Sequence, residues 1–288
     1  MRKKKYINIF YIPALIMFTI FVVIPFFEGL RISFTNWNGF MPGYKYVGFS
    51  NYIKFFTDPW IWPAFWNTIT YGFGSTLFQN IIGLSMAMYL NRKFRGRGIM
   101  RTVAYLPVMI APLIMGYVMR FVLGFRNGAL NDVTGAFGMA PLDWLATPTR
   151  ALIIITIVNT LQYMGVSMVI YLAGLKNIPA MYYEAAAIDG VSKWRQFRSV
   201  TLPLLMPAIS SSVVINLIGG LKLFDIISAL MPPSPSSGAH SLSTYLNFVY
   251  FNKQSAGFSA AIGVFTFLFI LLVSIITMKI FDRKEVVM

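Results

Sequence analysis

Six stretches of this chain are each apolar over a length that only a membrane absorbs. They cover residues 9–30, 65–90, 102–124, 151–172, 204–230 and 259–281. A helix needs about 20 such residues to cross the hydrocarbon core of a bilayer. Composition agrees: 57% of the residues are hydrophobic and 11% charged, with mean hydropathy +0.66, more apolar surface than a soluble domain of 288 residues can bury. The expected fold class is an all-α polytopic membrane protein of six transmembrane helices, one transmembrane domain over residues 1–288. The first stretch is too long for the apolar region of a signal peptide, and no small-residue cleavage site follows it.

Charge then sets the expected orientation. Lysine and arginine number 24 against nine acidic residues. In a six-span arrangement, sixteen of the 24 fall on one side: Arg2, Lys3, Lys4 and Lys5; Arg92, Lys93, Arg95, Arg97 and Arg101; Lys176, Lys193, Arg195 and Arg198; Lys279, Arg283 and Lys284. The opposite loops hold Lys45, Lys54, Arg126, Arg150 and Lys253. Basic loops stay in the cytoplasm, so both termini are expected there. The basic excess is a topology signal rather than a sign of nucleic-acid binding.

Catalytic chemistry is sparsely provided for. There is no cysteine and one histidine, His240. That removes disulfides and thiol–metal sites and disfavours a Ser-His-Asp or Cys-His nucleophile. No His/Asp/Glu group has metal-ligand spacing, and no Gly-x-x-x-x-Gly-Lys-Ser/Thr phosphate loop is present. Neither catalytic residues, nor a metal, nor a cofactor is expected. Energy for any transport must come from another subunit or an ion gradient.

Residues 182–203 form a polar passage between apolar stretches. Tyr182 to Ile188 is rich in Ala and Glu, which favours helix. Gly190 suits the left-handed position that ends a helix, and Ser192 can cap the next. There Trp194, Phe197 and Thr201 share a face at i, i+3 and i+7. Pro203 either stops this helix or opens the next segment. A compact helix–turn–helix with an apolar face is shaped to dock onto something.

The string Tyr183-Glu184-Ala185-Ala186-Ala187-Ile188-Asp189-Gly190, followed by Trp194, Phe197 and Leu202-Pro203, resembles the EAA loop of ABC importer permeases, in their carbohydrate (maltose and glycerol-phosphate) branch. Further motifs are similar to that branch: Arg31 to Trp37, Val47 to Tyr52, Asn67-Thr68, Gly128 to Asn131, Asp143-Trp144-Leu145, and Thr244, Tyr245 and Tyr250. The resemblance runs over roughly residues 10–280. It implies the ABC importer permease fold, with a cytoplasmic EAA loop seated in a cleft of an ATPase subunit through Glu184, Ala185, Ala186, Asp189, Gly190, Trp194 and Phe197. It also implies the partners: a second homologous permease, an ATPase dimer, an extracytoplasmic substrate-binding protein and a sugar, in a bacterial or archaeal cell membrane. Residues 125–150 would face the binding protein. Residues 232–238 depart from the family's Thr-Gly-Gly-Pro-like turn and read as a turn-rich, mobile segment.

Polar residues inside spans are functional candidates. Asn159, Gln162 and Tyr163 share a face at i, i+3 and i+4. In the fifth stretch Asn216, Gly219 and Gly220 precede Lys222, Phe224 and Asp225, and Lys222 and Asp225 are expected to pair or to meet water. The second stretch carries Asn67, Thr70, Gln79 and Asn80. Two readings stay open. The candidates Asn159, Gln162, Tyr163, Asn216, Gly220, Lys222, Phe224 and Asp225 line a substrate path, where amides, hydroxyls and aromatic rings suit a sugar. Alternatively, such residues hold helices together by hydrogen bonds. A permease for glycerol phosphate, with Lys222 attracting the anion, and an ion-coupled transporter, with Lys222 and Asp225 handling protons, are the rival functions. Pro13, Pro25, Pro107 and Pro112 should bend their helices. Glu28 and Arg31 are expected to form an interfacial pair.

Overall fold

A computed structural model describes residues 11–283. The expected charges at Arg2–Lys5 and Lys284 lie outside the described residues. Among those described, regular structure is helical apart from one bridge between Thr35 and Tyr46. The helices are α1 (Tyr11–Ile32), α2 (Ser50–Thr57), α3 (residues 61–90), α4 (Arg97–Met109), α5 (Pro112–Val122), α6 (Ala129–Ala136) and α7 (Pro148–Asn177). They continue with α8 (Ala180–Ile188), α9 (residues 193–204), α10 (Met206–Leu221), α11 (Asp225–Leu230), α12 (Leu242–Phe251) and α13 (Ala256–Asp282).

Two compact units emerge: residues up to Asp58 with Leu246–Thr266, and Pro59–Tyr245 with the residues from Phe267 on. In the first unit, the amide of Asn51 donates to the carbonyls of Ser33 and Thr35, each at 2.8 Å, and the Ser33 hydroxyl meets Tyr52 Oη at 2.7 Å. A side chain at Gly257 would collide with the Thr35 carbonyl, because its Cβ would lie 1.9 Å from that oxygen. Phe55 packs on Phe265 at 4.2 Å between centroids, and Arg31 pairs with Glu28 at 2.8 Å as expected. The motif residues of the 31–52 region are therefore its joints.

The second unit is built on α3 against α7, crossed by α10. Small residues let the backbones approach: a Cβ on Gly220 would sit 2.9 Å from Gly72 Cα. Among the described residues, four helical segments are long and apolar enough to cross a membrane: Tyr11–Ile32, Pro148–Asn177, Met206–Leu230 and Ala256–Phe281. Helix α3 has the length but dilutes its apolar surface with Asn67, Thr68, Thr70, Ser75, Thr76, Gln79 and Asn80.

Two expected spans are not continuous rods. The third is broken between α4 and α5, which meet at 98°. Pro107 sits in a tight turn, and Pro112 forces the preceding Ala111 into an extended conformation (ψ 135°). The fifth stops at Leu221 and resumes at Asp225. Helix α11 then packs on α5, with Ala229 against Gly116. Prolines shape other helices more gently. α1 widens into a π-turn over Thr19–Val23 just before Pro25, and α9 does so over Phe197–Thr201 just before Pro203. A wider turn relieves the clash between a proline ring and the carbonyl four residues back.

Candidate functional sites

The two breaks open onto one cavity of about 350 Å³ in the second unit. Its wall takes Gln79 from α3, Pro112 from α5, Asn159 and Tyr163 from α7, Asn216 and Gly220 from α10, and Lys222, Phe224 and Asp225 from the α10–α11 break. Broken helices leave carbonyls without helical partners, and here side chains take them up. Gln162 Nε2 donates to Ile110 O at 3.0 Å, and the Ser241 hydroxyl to Leu223 O at 2.8 Å.

Thus Gln162, expected on the cavity face, is fully buried and braces the α4–α5 break instead. Asn159 and Asn216 do both jobs. Asn159 Nδ2 donates to Ser75 Oγ at 2.9 Å, while its backbone carbonyl accepts from Gln79 Nε2 at 3.0 Å. Asn216 Nδ2 donates to Ser167 Oγ at 2.7 Å. Away from the cavity, Asn80 Oδ1 accepts from Tyr171 Oη at 2.5 Å and Ser212 Oγ at 2.7 Å, tying α3, α7 and α10 together. Tyr163 and Phe224 are half-buried, and Lys222 is exposed. Lys222 and Asp225 form no ion pair with each other: the break between them removes the helical i, i+3 alignment, and of the two expected outcomes, pairing or access to water, the exposed Lys222 has the second. The result is a pocket of amides, a hydroxyl, aromatic faces, the Asp225 carboxylate and the Lys222 ammonium, these two not paired with each other. It suits polyhydroxylated solutes, and it lacks a nucleophile–base pair.

Residues 180–204 fold as a helix–turn–helix. α8 ends in a Schellman turn: Val191 N donates to Ala186 O at 3.0 Å and Gly190 N to Ala187 O at 3.1 Å, with Gly190 at φ +68°. Ser192 caps α9, its side chain accepting from Arg195 N. Two bonds close the pair: Gln196 Nε2 to Tyr183 O at 3.2 Å, and Tyr183 Oη with Thr201 Oγ1 at 3.3 Å. Pro203 lies inside α9 rather than ending it, because the π-turn absorbs it. Glu184, Ala185 and Asp189 are exposed, and Ala186 is buried. Ile188 is 87% and Trp194 72% exposed, with Trp194 stacked on Phe197 at 5.6 Å. Two large apolar side chains held out on a rigid turn form a contact face.

At the other end of this unit, the family-like loop motifs prove to be structural. Asn131 makes five hydrogen bonds, donating to Gly124 O, Phe125 O and Leu142 O and accepting from Leu142 N and Trp144 Nε1. The 232–238 segment, expected to be mobile, is clamped. Asn67 Nδ2 donates to Gly238 O and His240 O, both at 2.9 Å, and Tyr71 Oη to Ala239 O at 2.7 Å. His240 Nε2 faces the carbonyls of Ser234 (2.9 Å) and Pro232 (3.1 Å), so it carries the proton, and Nδ1 accepts from Thr244 Oγ1 at 3.0 Å. Burial pushes the His240 pKa below its ordinary value. Sequence reasoning missed this clamp, although Asn67, Thr244 and the lone histidine each stand out separately.

Residues 79–286 match the family of binding-protein-dependent transport system inner membrane components. The chain belongs to that family. Among relatives, it is 31% identical to the trehalose/maltose transport system permease protein MalF of Thermococcus litoralis over 279 residues, 97% of this chain and 94% of the relative. It is 32% identical to the probable starch degradation products transport system permease protein AmyD of Thermoanaerobacterium thermosulfurigenes, over 97% of this chain and 95% of that one. Both are named as permease proteins, transport components rather than enzymes. Among solved structures, it is similar to a chain in a bacterial ABC transporter involved in importing the acidic polysaccharide alginate, with TM-score 0.83 and 26% identity over 94% of this chain and 93% of that one. A second alginate transporter structure, in complex with an alginate pentasaccharide-bound periplasmic protein, gives TM-score 0.81 and 25% identity over 93% and 91%. This member of the inner membrane component family is a multi-pass membrane protein.

Proposed function

We propose that the chain is one membrane subunit of an ATP-driven sugar importer, with an oligosaccharide as its solute, and forms half of the translocation path. The observation that carries the reading is the cavity where two broken helices of a transport-family member meet. Helix breaks at membrane depth belong where backbone lines a cavity, and transporters place their sites there. Tyr163 and Phe224 offer faces for sugar rings, while Asn159, Asn216 and Gln79 supply amides. The kinship with maltose, starch-product and alginate systems supports the solute class.

In this reading the chain forms a single permease domain with six spans, counting α3 and the bent α4–α5 pair. Both termini and the 180–204 turn lie in the cytoplasm. The turn presents Glu184, Ala185, Asp189, Ile188 and Trp194 to an ATPase dimer, with Ala186, Gly190 and Phe197 holding its shape. A second, homologous permease completes the path, and a binding protein delivers the solute on the opposite side. ATP-driven closure moves the turn and reorients the helices around the cavity.

The test is uptake of labelled maltooligosaccharide into proteoliposomes holding the assembled transporter and binding protein. ATP-dependent uptake is expected. Uptake that follows an ion gradient without ATP would overturn the reading. A second reading, a permease for an anionic solute such as glycerol phosphate, rests on Lys222, whose unpaired ammonium lies on the cavity wall. Competition by glycerol phosphate that disappears in Lys222→Gln would favour it.

A further inference from the structure

The 180–204 turn also forms one wall of a larger cavity that the transport reading leaves without an occupant. It measures about 560 Å³ and lies at the far end of the second unit from His240. Its apolar wall includes Met88, from the last turn of α3, and Leu175, from the last turns of α7. Its cations are Arg92, just past the end of α3, and Lys193, at the first position of α9. Asn91 and Gln196 add amides, and no Asp or Glu among the described residues lines it.

Neither cation is spoken for. Arg92 and Lys193 are exposed and make no ion pair among the described residues. The open carbonyls at the end of α3 are served by other arginines. Arg101 donates to Leu90 O at 2.6 Å and Arg97 to Arg92 O at 3.5 Å. The Arg92 guanidinium is therefore left for something else. The lining brings apolar side chains from the ends of α3 and α7 together with two cations and two amides. A phospholipid has that polarity, with acyl chains and glycerol below and a phosphate at the polar boundary. Basic pockets between membrane helices on the cytoplasmic side bind such head groups.

We propose that this cavity binds the phosphate of an anionic phospholipid head group, and that the bound lipid ties the helix–turn–helix to the end of α3. Arg92 sits on one wall, while Lys193, Gln196 and Tyr183 of the turn form the other. One phosphate between Arg92 and Lys193 bridges the two elements. Transport then depends on the anionic lipid of the surrounding leaflet, a consequence that rests on the turn being the coupling element; the binding itself does not.

The experiment uses the complete transporter in nanodiscs of phosphatidylcholine, titrated with phosphatidylglycerol, with bound lipid counted by native mass spectrometry. Wild type should retain phosphatidylglycerol, and Arg92→Gln/Lys193→Gln should lose roughly tenfold in affinity, since each basic group near an anionic lipid counts appreciably. Arg92→Lys/Lys193→Arg should keep it, and Arg126→Gln, remote from this end of the chain, should not change it. Equal retention by the double glutamine variant would overturn the site. Displacement by millimolar inorganic phosphate would show a free-anion site and overturn the lipid assignment. Should the glutamine variant fail to assemble, wild type decides: retention unaffected by high salt contradicts a charge-held phosphate. If lipid is retained through Arg92 and Lys193 but transport ignores it, the binding site stands and the coupling role of the turn falls.

Discussion

Single residues in this chain are fixed by backbone demands more than by chemistry. Gly190 sits at φ +68° with open space around its Cβ position. Strain alone therefore penalises a side chain there, by about 1–2 kcal/mol for a non-glycine residue and more for a β-branched one. Gly190→Val should leave membrane insertion intact but distort the turn, separating ATP hydrolysis from uptake; normal coupling in the assembled variant would remove the turn from the coupling role. Asn131 is the counterpart at the other end. Asn131→Ala strands three carbonyls and the Trp144 indole N–H, and should cost about 3 kcal/mol, read as faster limited proteolysis within residues 125–147. His240 adds a pH dependence. Its folded pKa is depressed by burial, so the ring is neutral in folded and unfolded chains alike above its ordinary 6.5. As pH falls below that value, the unfolded chain takes up a proton that the folded loop resists, and stability drains away until the folded pKa is passed. Proteolysis of residues 232–241 should accelerate from neutral to mildly acidic pH in wild type and change less in His240→Gln, whose amide can still donate to the carbonyls of Ser234 and Pro232.

At the scale of elements, the sequence disclosed the helices and the turn more readily than the breaks. The turn was legible to its capping residues, because Gly190 and Ser192 act through local backbone chemistry. Hydropathy marked residues 102–124 and 204–230 as spans, but it counts apolar residues without regard to where the backbone turns. Pro107 and Pro112 announced the first break; the second has no proline, and its traces were the helix-weakening Gly219-Gly220 pair and the charges at Lys222 and Asp225. Helical spacing placed Gln162 with Asn159 and Tyr163, yet which neighbour each would face depended on where the α4–α5 break leaves the Ile110 carbonyl. That difference predicts opposite phenotypes for adjacent residues. Gln162→Ala leaves the part-buried Ile110 carbonyl without this bond, a loss of about 1 kcal/mol, and should lower the melting temperature of the purified transporter. Tyr163→Ala removes a half-buried ring from the cavity and should impair uptake with little change in melting. Reversed results would exchange their roles, making Tyr163 the brace and Gln162 the contact.

For the whole molecule, the direction in which the bundle faces decides what each end can do. The proposed coupling turn, the lipid cavity and the cluster Arg92, Lys93, Arg95, Arg97 and Arg101 belong to one end of the second unit, and the clamped loops at Asn131 and His240 to the other. Both assignments require the same orientation: if the basic end faces outward, neither an ATPase nor the cytoplasmic leaflet can reach it. The absence of native cysteine allows a clean test. Probes must be exposed. Phe137 is 82% exposed beyond α6, and Ser236 is exposed beside the His240 clamp, its hydroxyl meeting that of the equally exposed Ser234 at 2.8 Å, whereas the Ser237 hydroxyl is buried and its neighbourhood would be perturbed. At the basic end, Gly98 has nothing within 4 Å of its Cβ position. In whole cells, Phe137→Cys and Ser236→Cys should react with a membrane-impermeant thiol reagent, and Gly98→Cys should react only after the membrane is opened. Reaction at Gly98→Cys in intact cells, with protection of the other two, would invert the bundle and with it place the 180–204 turn where no ATPase could move it.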